Sequence, residues 1–345
     1  RGELVTASDA FIEDRTGNST LIVFAQPQGA SSSPSSSTTT CSFDDPCSLA
    51  RAFDVASAQG YARVLLITSS LTASGGELLQ TPIPFRQLDI AGIQTTLFNV
   101  TVEPSSPSAP RAIFDCGHDQ GITFRSNSFV TLREIDFLNC GEPDQSDFGA
   151  IRIESHSAVV IEDCSFTHNS ARSCAAISSF TTEVKIIDSR FEENTASTIG
   201  AAICIQSQSA SSNSWQETIQ STIEIERCKF INNSIVATTN SAGSGRGAAL
   251  FISTTQSIGL AISDSQFVDN RIHNLAASES AQGAALYVKL EGDSTSTSQI
   301  SVIKSELHLN RIDSNTEALG GAMFIRASRA EVSIDQCSIT RNSIM

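Results

Sequence analysis

The chain has 345 residues, with 22 basic against 37 acidic side chains and a formal net charge of −15. That charge argues against a nucleic-acid backbone as partner, and no stretch approaches the roughly 18 to 20 uninterrupted apolar residues of a membrane span. The chain opens on Arg1-Gly2-Glu3 rather than a basic-then-apolar leader. Aromatic residues make up only 6% with a single Trp, whereas Ser and Thr together make up roughly a quarter, a composition suited to a repetitive β architecture.

In chain order, residues 1–30 form an N-terminal segment in which Thr20–Ala25 (TLIVFA) reads as a buried strand. Residues 31–40, the Ser/Thr/Pro stretch, have nothing apolar to offset the entropy of ordering and read as a flexible linker. Residues 41–60 read as a cap: Cys41 and Cys47 close a short loop, and Leu49, Ala52, Phe53 and Ala56 recur at helical spacing. Ser48 stands at the N-cap, and the helix ends at Gly60. Strands begin at Val64–Ile67, and residues 61–345 are expected to form one solenoid.

From about Ala112 onward a single unit recurs. Its second half, apolar-x-Asp-x-x-Phe-x-x-Asn, appears as IEDCSFTHN, IIDSRFEEN, IERCKFINN, ISDSQFVDN, IKSELHLN and IDQCSITRN, ending at Asn169, Asn194, Asn233, Asn270, Asn310 and Asn342. A variant, REIDFLNC, puts Cys140 in the Asn place. The first half is small-small-apolar, as in Gly149-Ala150-Ile151, Ala175-Ala176-Ile177, Ala201-Ala202-Ile203, Ala248-Ala249-Leu250, Ala284-Ala285-Leu286 and Gly321-Ala322-Met323. The shortest unit, Asn169 to Asn194, spans 25 residues. Longer ones carry polar insertions at 208–220, 238–246, 274–282 and 292–298 that belong on the surface as loops. One turn per two dozen residues, with alternation such as Val184/Ile186 and Ile223/Ile225, predicts parallel strands stacked about 4.8 Å apart.

The expected fold is therefore all-β: a right-handed parallel β-helix with a short N-terminal capping helix, handedness following from the twist of parallel crossovers. Phe137, Phe166, Phe191, Phe230 and Phe267 should stack as an interior ladder. The unit-ending Asn residues should form a structural ladder at one corner, where Asn tolerates left-handed backbone, and Gly and Ala should line another corner.

The motifs Gly320-Gly321-Ala322-Met323, Gly247-Ala248-Ala249-Leu250, Phe230-Ile231-Asn232-Asn233 and Phe267-Val268-Asp269-Asn270 resemble the GGA(I/L/V) and FxxN repeats of the chlamydial polymorphic membrane proteins. The resemblance covers roughly residues 110–345, and the cap resembles that of pectin-lyase-like β-helices. It implies a right-handed β-helical passenger that acts as an adhesin and is exported through a C-terminal outer-membrane barrel. The present chain departs from the pattern in lacking such a barrel and in placing Cys140 on the Asn ladder.

Enzymes on such folds cleave acidic polysaccharides, and hydrolysis there needs paired carboxylates together with Gly-His-Gly and Arg-x-Lys signatures in successive coils. Asp44-Asp45 precedes the cap helix, and Gly117-His118 is followed by Asp119 instead of Gly. Asp163, Asp188 and Asp264 recur at one repeat position, the pattern a stacked Ca²⁺ site would need. They read better as a solvated stripe on a strand, interrupted by Glu226 and Lys304. His118, His156, His168, His273 and His308 are not at ligand spacing. No catalytic residue, metal or cofactor is expected.

Nine cysteines without a CxxC pair fit an oxidising compartment. Besides Cys41–Cys47, two pairings of Cys140 compete, with Cys174 and with Cys116. Cys164, Cys228 and Cys337 share one repeat position but lie at least two coils apart, roughly 9.6 Å or more, beyond disulfide reach. The odd count leaves at least one thiol unpaired within the chain. Sequons at Asn18, Asn99 and Asn232 are glycosylation candidates, and the Ser/Thr linker is a candidate for O-glycans.

These features predict a secreted or cell-surface structural or adhesive module, glycosylated and part of a fibrous or surface assembly. Expected partners are further copies, other extracellular proteins and glycans. A polysaccharide lyase or hydrolase is the alternative function, and a passive stalk is a third. Because the sequence stops at Met345 directly after a repeat half, an open solenoid end predicts association. Leu21–Phe24 is expected either to donate a strand to a neighbour or to fold back onto its own cap.

Overall fold

The computed structural model describes residues 11–13, 19–25, 47–58, 62–66, 69–74, 77–82, 85–86, 94–95, 100–106, 109–125, 127–154, 157–180, 183–206, 221–237, 245–255, 257–274, 280–291, 297–315 and 317–345. The linker at 31–40, Asn18, Asn99, Cys41, Asp44, Asp45, His156 and most of each insertion lie outside the described residues.

The chain is an all-β parallel β-helix with a single short helix near its N-terminus among the described residues. One coil shows how each turn is built. Ile151–Ile153 lies in an 8-stranded sheet, Ala158–Glu162 in an 11-stranded sheet, Ser165–Thr167 in a 9-stranded sheet and Ser170–Ser173 in a 6-stranded sheet. Ile177–Ser179 then returns to the first of these. Register is kept from coil to coil: Val159 pairs with Val184, Val184 with Ile223, Ile223 with Leu260, and Leu260 with Ile300. A slip of one residue would turn this apolar row outward, so burial itself fixes the pairing.

Helix α1, Leu49–Ser57, follows Ser48, whose side chain accepts a hydrogen bond from the Arg51 backbone N–H as an N-cap. Its Leu49, Ala52, Phe53 and Ala56 are buried, covering the first coils with the apolar face that their spacing predicts.

The solenoid begins earlier than residue 61. Leu21–Ala25 pairs in parallel with Ala62–Leu66 of the same chain, and Phe11–Glu13 pairs antiparallel beside it. Of the two expectations for this segment, strand donation and folding back onto its own cap, the pairing is the second. The apolar run TLIVFA supplies a rung of its own sheet, because an adjacent parallel strand of the same chain satisfies its backbone groups.

Inside, Phe137, Phe166, Phe191, Phe230 and Phe267 stack nearly face to face at 4.9, 4.9, 4.8 and 4.6 Å between centroids. Phe114 meets Phe137 edge-on at 5.3 Å, and Leu307 continues the column. The spacing is that of the strands, so one aromatic per coil fills the interior without a gap.

The small-small corner is tight for a visible reason. A Cβ on Gly149 would lie 1.8 Å from the Ala175 carbonyl oxygen. Just ahead of the Ala pairs, Gly200, Gly247 and Gly283 adopt positive φ. Behind this corner a second apolar cluster, including Ala196, Ile235, Ile272 and Ile312, packs beneath the 6-stranded sheet.

Candidate functional site

Each ladder Asn is fully buried from Asn169 to Asn310. Asn194 shows the bonding: its backbone N–H and Nδ2 donate to Asn233 Oδ1 at 3.2 and 2.9 Å, and Nδ2 also donates to the Phe166 carbonyl at 3.0 Å. The same set repeats through Asn233, Asn270 and Asn310 to Asn342. From Asn169 to Asn310 these groups are committed to the stack, since a buried amide must be paired, and none of these five faces solvent to bind a ligand.

The left-handed backbone sits one residue earlier than expected. His168, Glu193, Asn232, Asp269, Leu309 and Arg341 have φ between 52° and 58°. The residue that turns the corner points outward, and the ladder Asn behind it points in.

At the start of the ladder Cys140 replaces Asn. Its backbone N–H still donates to Asn169 Oδ1 at 2.9 Å, while its sulfur is bonded to Cys116, with Cα atoms 4.7 Å apart. The structure therefore selects Cys116–Cys140 over Cys140–Cys174. Cys174 stands at the far edge of the 6-stranded sheet, across Ser170–Ser173, and is bonded to Cys204 with Cα atoms 5.1 Å apart. Cys204 escaped the sequence reading, although its alternation within Ile203–Gln206 places it on the outer face of its strand. Cys47 is also disulfide-bonded; Cys41, its expected partner, is outside the described residues.

Cys164, Cys228 and Cys337 are free thiols. They share a second polar ladder with Ser189, Ser265 and Ser305, where the Cys164 and Cys228 backbone N–H groups donate to Ser189 Oγ and Ser265 Oγ, both at 3.1 Å. Burial pushes the Cys164 and Cys228 thiols up to about 12. Thiolate is the reactive form, so these two should stay unmodified by iodoacetamide near neutral pH in the folded protein. Cys337, partly exposed in the last coil, should label. Peptide-resolved mass spectrometry before and after denaturation checks this, and native labelling of Cys228 would show the ladder to be open.

The acidic row lies on the other corner and not on a strand. Asp163, Asp188 and Asp264 have φ of 47°, 51° and 49°, values that short polar side chains tolerate better than most. The residues interrupting the row are Arg227 and Lys304, and Glu226 sits one place earlier, on the strand. Two of the three carboxylates are engaged by arginine: Asp188 accepts two bonds from Arg227 at 2.7 and 2.8 Å, which hold its carboxyl below the usual range. Arg111 reaches Asp136 and Asp163, both at 2.8 Å. Among the described residues no group of three or more His, Cys, Asp or Glu side chains could hold a metal. His168 contacts Glu193 at 2.5 Å and His308 contacts Thr340 at 2.7 Å.

Outside the 8-stranded sheet, Phe251, Tyr287 and Phe324 stack at 5.0 and 5.4 Å, with the Arg246 guanidinium 5.7 Å from the Tyr287 ring. The sequence signal was an aromatic directly after each of the last three small-small-apolar triplets. Arg152 lies over Phe148 and Phe180 at 5.9 and 5.0 Å. At the C-terminal face a concavity of about 660 Å³ is lined by Met323, Ile325, Ile334, Ile339 and neighbours. It is the cross-section of the repeat's own interior.

No family model, curated protein or solved structure matches the chain. Among the described residues no helix is long and apolar enough to cross a membrane.

Proposed function

We propose that the chain is an extracellular structural or adhesive β-helix, a rigid rod that carries Ser-rich loops as part of a surface or fibrous assembly. The observation that carries the reading is the pair of disulfides that tie neighbouring coils, Cys116–Cys140 and Cys174–Cys204. Crosslinks of this kind persist in oxidising compartments and are rare in reducing ones. The repeats' likeness to those of chlamydial surface passengers supports the same reading.

The test uses the purified, oxidised chain. Saturable binding to an array of extracellular glycans and matrix proteins, or concentration-dependent assembly seen by light scattering, is the expected result. Release of reducing sugar or unsaturated product from pectin or alginate would overturn it in favour of a polysaccharide-cleaving enzyme. A monodisperse monomer that binds nothing on the array would overturn it as well.

A further inference from the structure

We propose that Asn232 carries an N-linked oligosaccharide, a reading that rests on the extracellular assignment above. Asn232-Asn233-Ser234 is a sequon, and the fold gives its three residues separate tasks. Asn233 is buried and bound into the ladder, so its own amide is committed. The Ser234 hydroxyl lies on the 6-stranded sheet, 3.3 Å from that of Thr195. Asn232 is at the apex of the corner with φ 54°, its side chain exposed and its backbone N–H bonded to the Val268 carbonyl at 3.1 Å.

The coils on either side leave this apex clear. Glu193, in the preceding coil, is drawn back toward His168 at 2.5 Å, away from Asn232. Asp269, in the following coil, is held by Arg271 of its own coil through bonds of 2.9 and 3.0 Å. Among the described residues no hydrogen bond engages the Asn232 side-chain amide. A sugar on its nitrogen therefore extends into solvent without displacing an interaction. Of the six other apex residues, His168, Glu193, Asp269, Leu309 and Arg341 carry no side-chain amide, and Asn139 is followed by Cys140-Gly141, which is not a sequon, so Asn232 is the one member of the row able to accept a glycan.

The experiment secretes the full chain from a eukaryotic host, then maps peptides after amidase deglycosylation in heavy-oxygen water, with Ser234→Ala and Ser234→Thr alongside. Expected are the isotopic conversion of Asn232 to aspartate in the majority of molecules, its loss in Ser234→Ala and its retention in Ser234→Thr. Unmodified Asn232 in secreted protein with Cys116–Cys140 and Cys174–Cys204 formed overturns the glycan proposal and leaves the extracellular reading standing. Retention inside the cell with those cysteines as thiols overturns the extracellular reading, and the glycan proposal falls with it.

Discussion

Replacing Phe191 with Ala is expected to destabilise the protein by about 3 to 5 kcal/mol, the usual cost of truncating a large core aromatic. Phe191 is completely buried and stacks between Phe166 at 4.9 Å and Phe230 at 4.8 Å. The strands above and below are fixed by their ladders, so the neighbouring rings cannot close the gap and a cavity remains. Its carbonyl also accepts from Asn233 Nδ2, which ties the ring's position to the adjacent ladder. Urea unfolding followed by circular dichroism, compared with an exposed strand-site control such as Glu183→Ala, measures the effect. A loss below about 1 kcal/mol would mean that the aromatic column is not part of the core.

The second large effect is expected at Asn233. Changing it to Ala removes the acceptor for two buried donors, Asn194 N–H and Nδ2, and the donor to Phe191 O and Asn270 Oδ1. Each orphaned buried donor costs about 1 to 3 kcal/mol, so the two together predict a loss of about 2 to 6 kcal/mol.

Asn233→Asp separates hydrogen bonding from volume. Its carboxylate still accepts from Asn194 but places a charge against two oxygen acceptors in a dry site. Burial raises the carboxyl's folded-state pKa above its unfolded value of about 3.9. The folded form then holds the proton more tightly, so stability is greatest below about pH 4 and falls as pH rises through the folded-state pKa. Denaturation across pH 3 to 7, read against the unmodified protein at each pH, checks this. A pH-independent difference would show that position 233 is solvated.

Much of this could be read without coordinates because the repeat exposes each position several times. Phe at one place and Asn three residues later, recurring with the same flanks, can satisfy burial and backbone pairing together only by stacking coil on coil. Helix α1 was legible for a local reason, an N-cap Ser followed by apolar residues at three- and four-residue spacing. The Cys164/Cys228/Cys337 column was legible because the shared repeat position fixes its separation in whole coils.

What the sequence left open depended on distances between faces. Cys140 had two candidate partners, and the choice followed from the width of the 6-stranded sheet, which no spacing in the chain reveals. The left-handed residue was placed one position late because composition says that Asn tolerates that backbone, whereas the side chain that turns inward is fixed by the ladder it joins. Asp188 reads from the sequence as part of a solvated stripe, and its partner Arg227, 39 residues away in sequence and against it at 2.7 Å, is set only by the stacking of coils. The strand at Ser19–Ala25 has the composition of any buried strand, and its pairing with Ala62–Leu66 was decided when the coil closed. Repetition and local periodicity are short-range signals and fix the elements of the solenoid. Partner choice among thiols, charges and strand edges requires the three-dimensional stacking of coils that are remote in the chain.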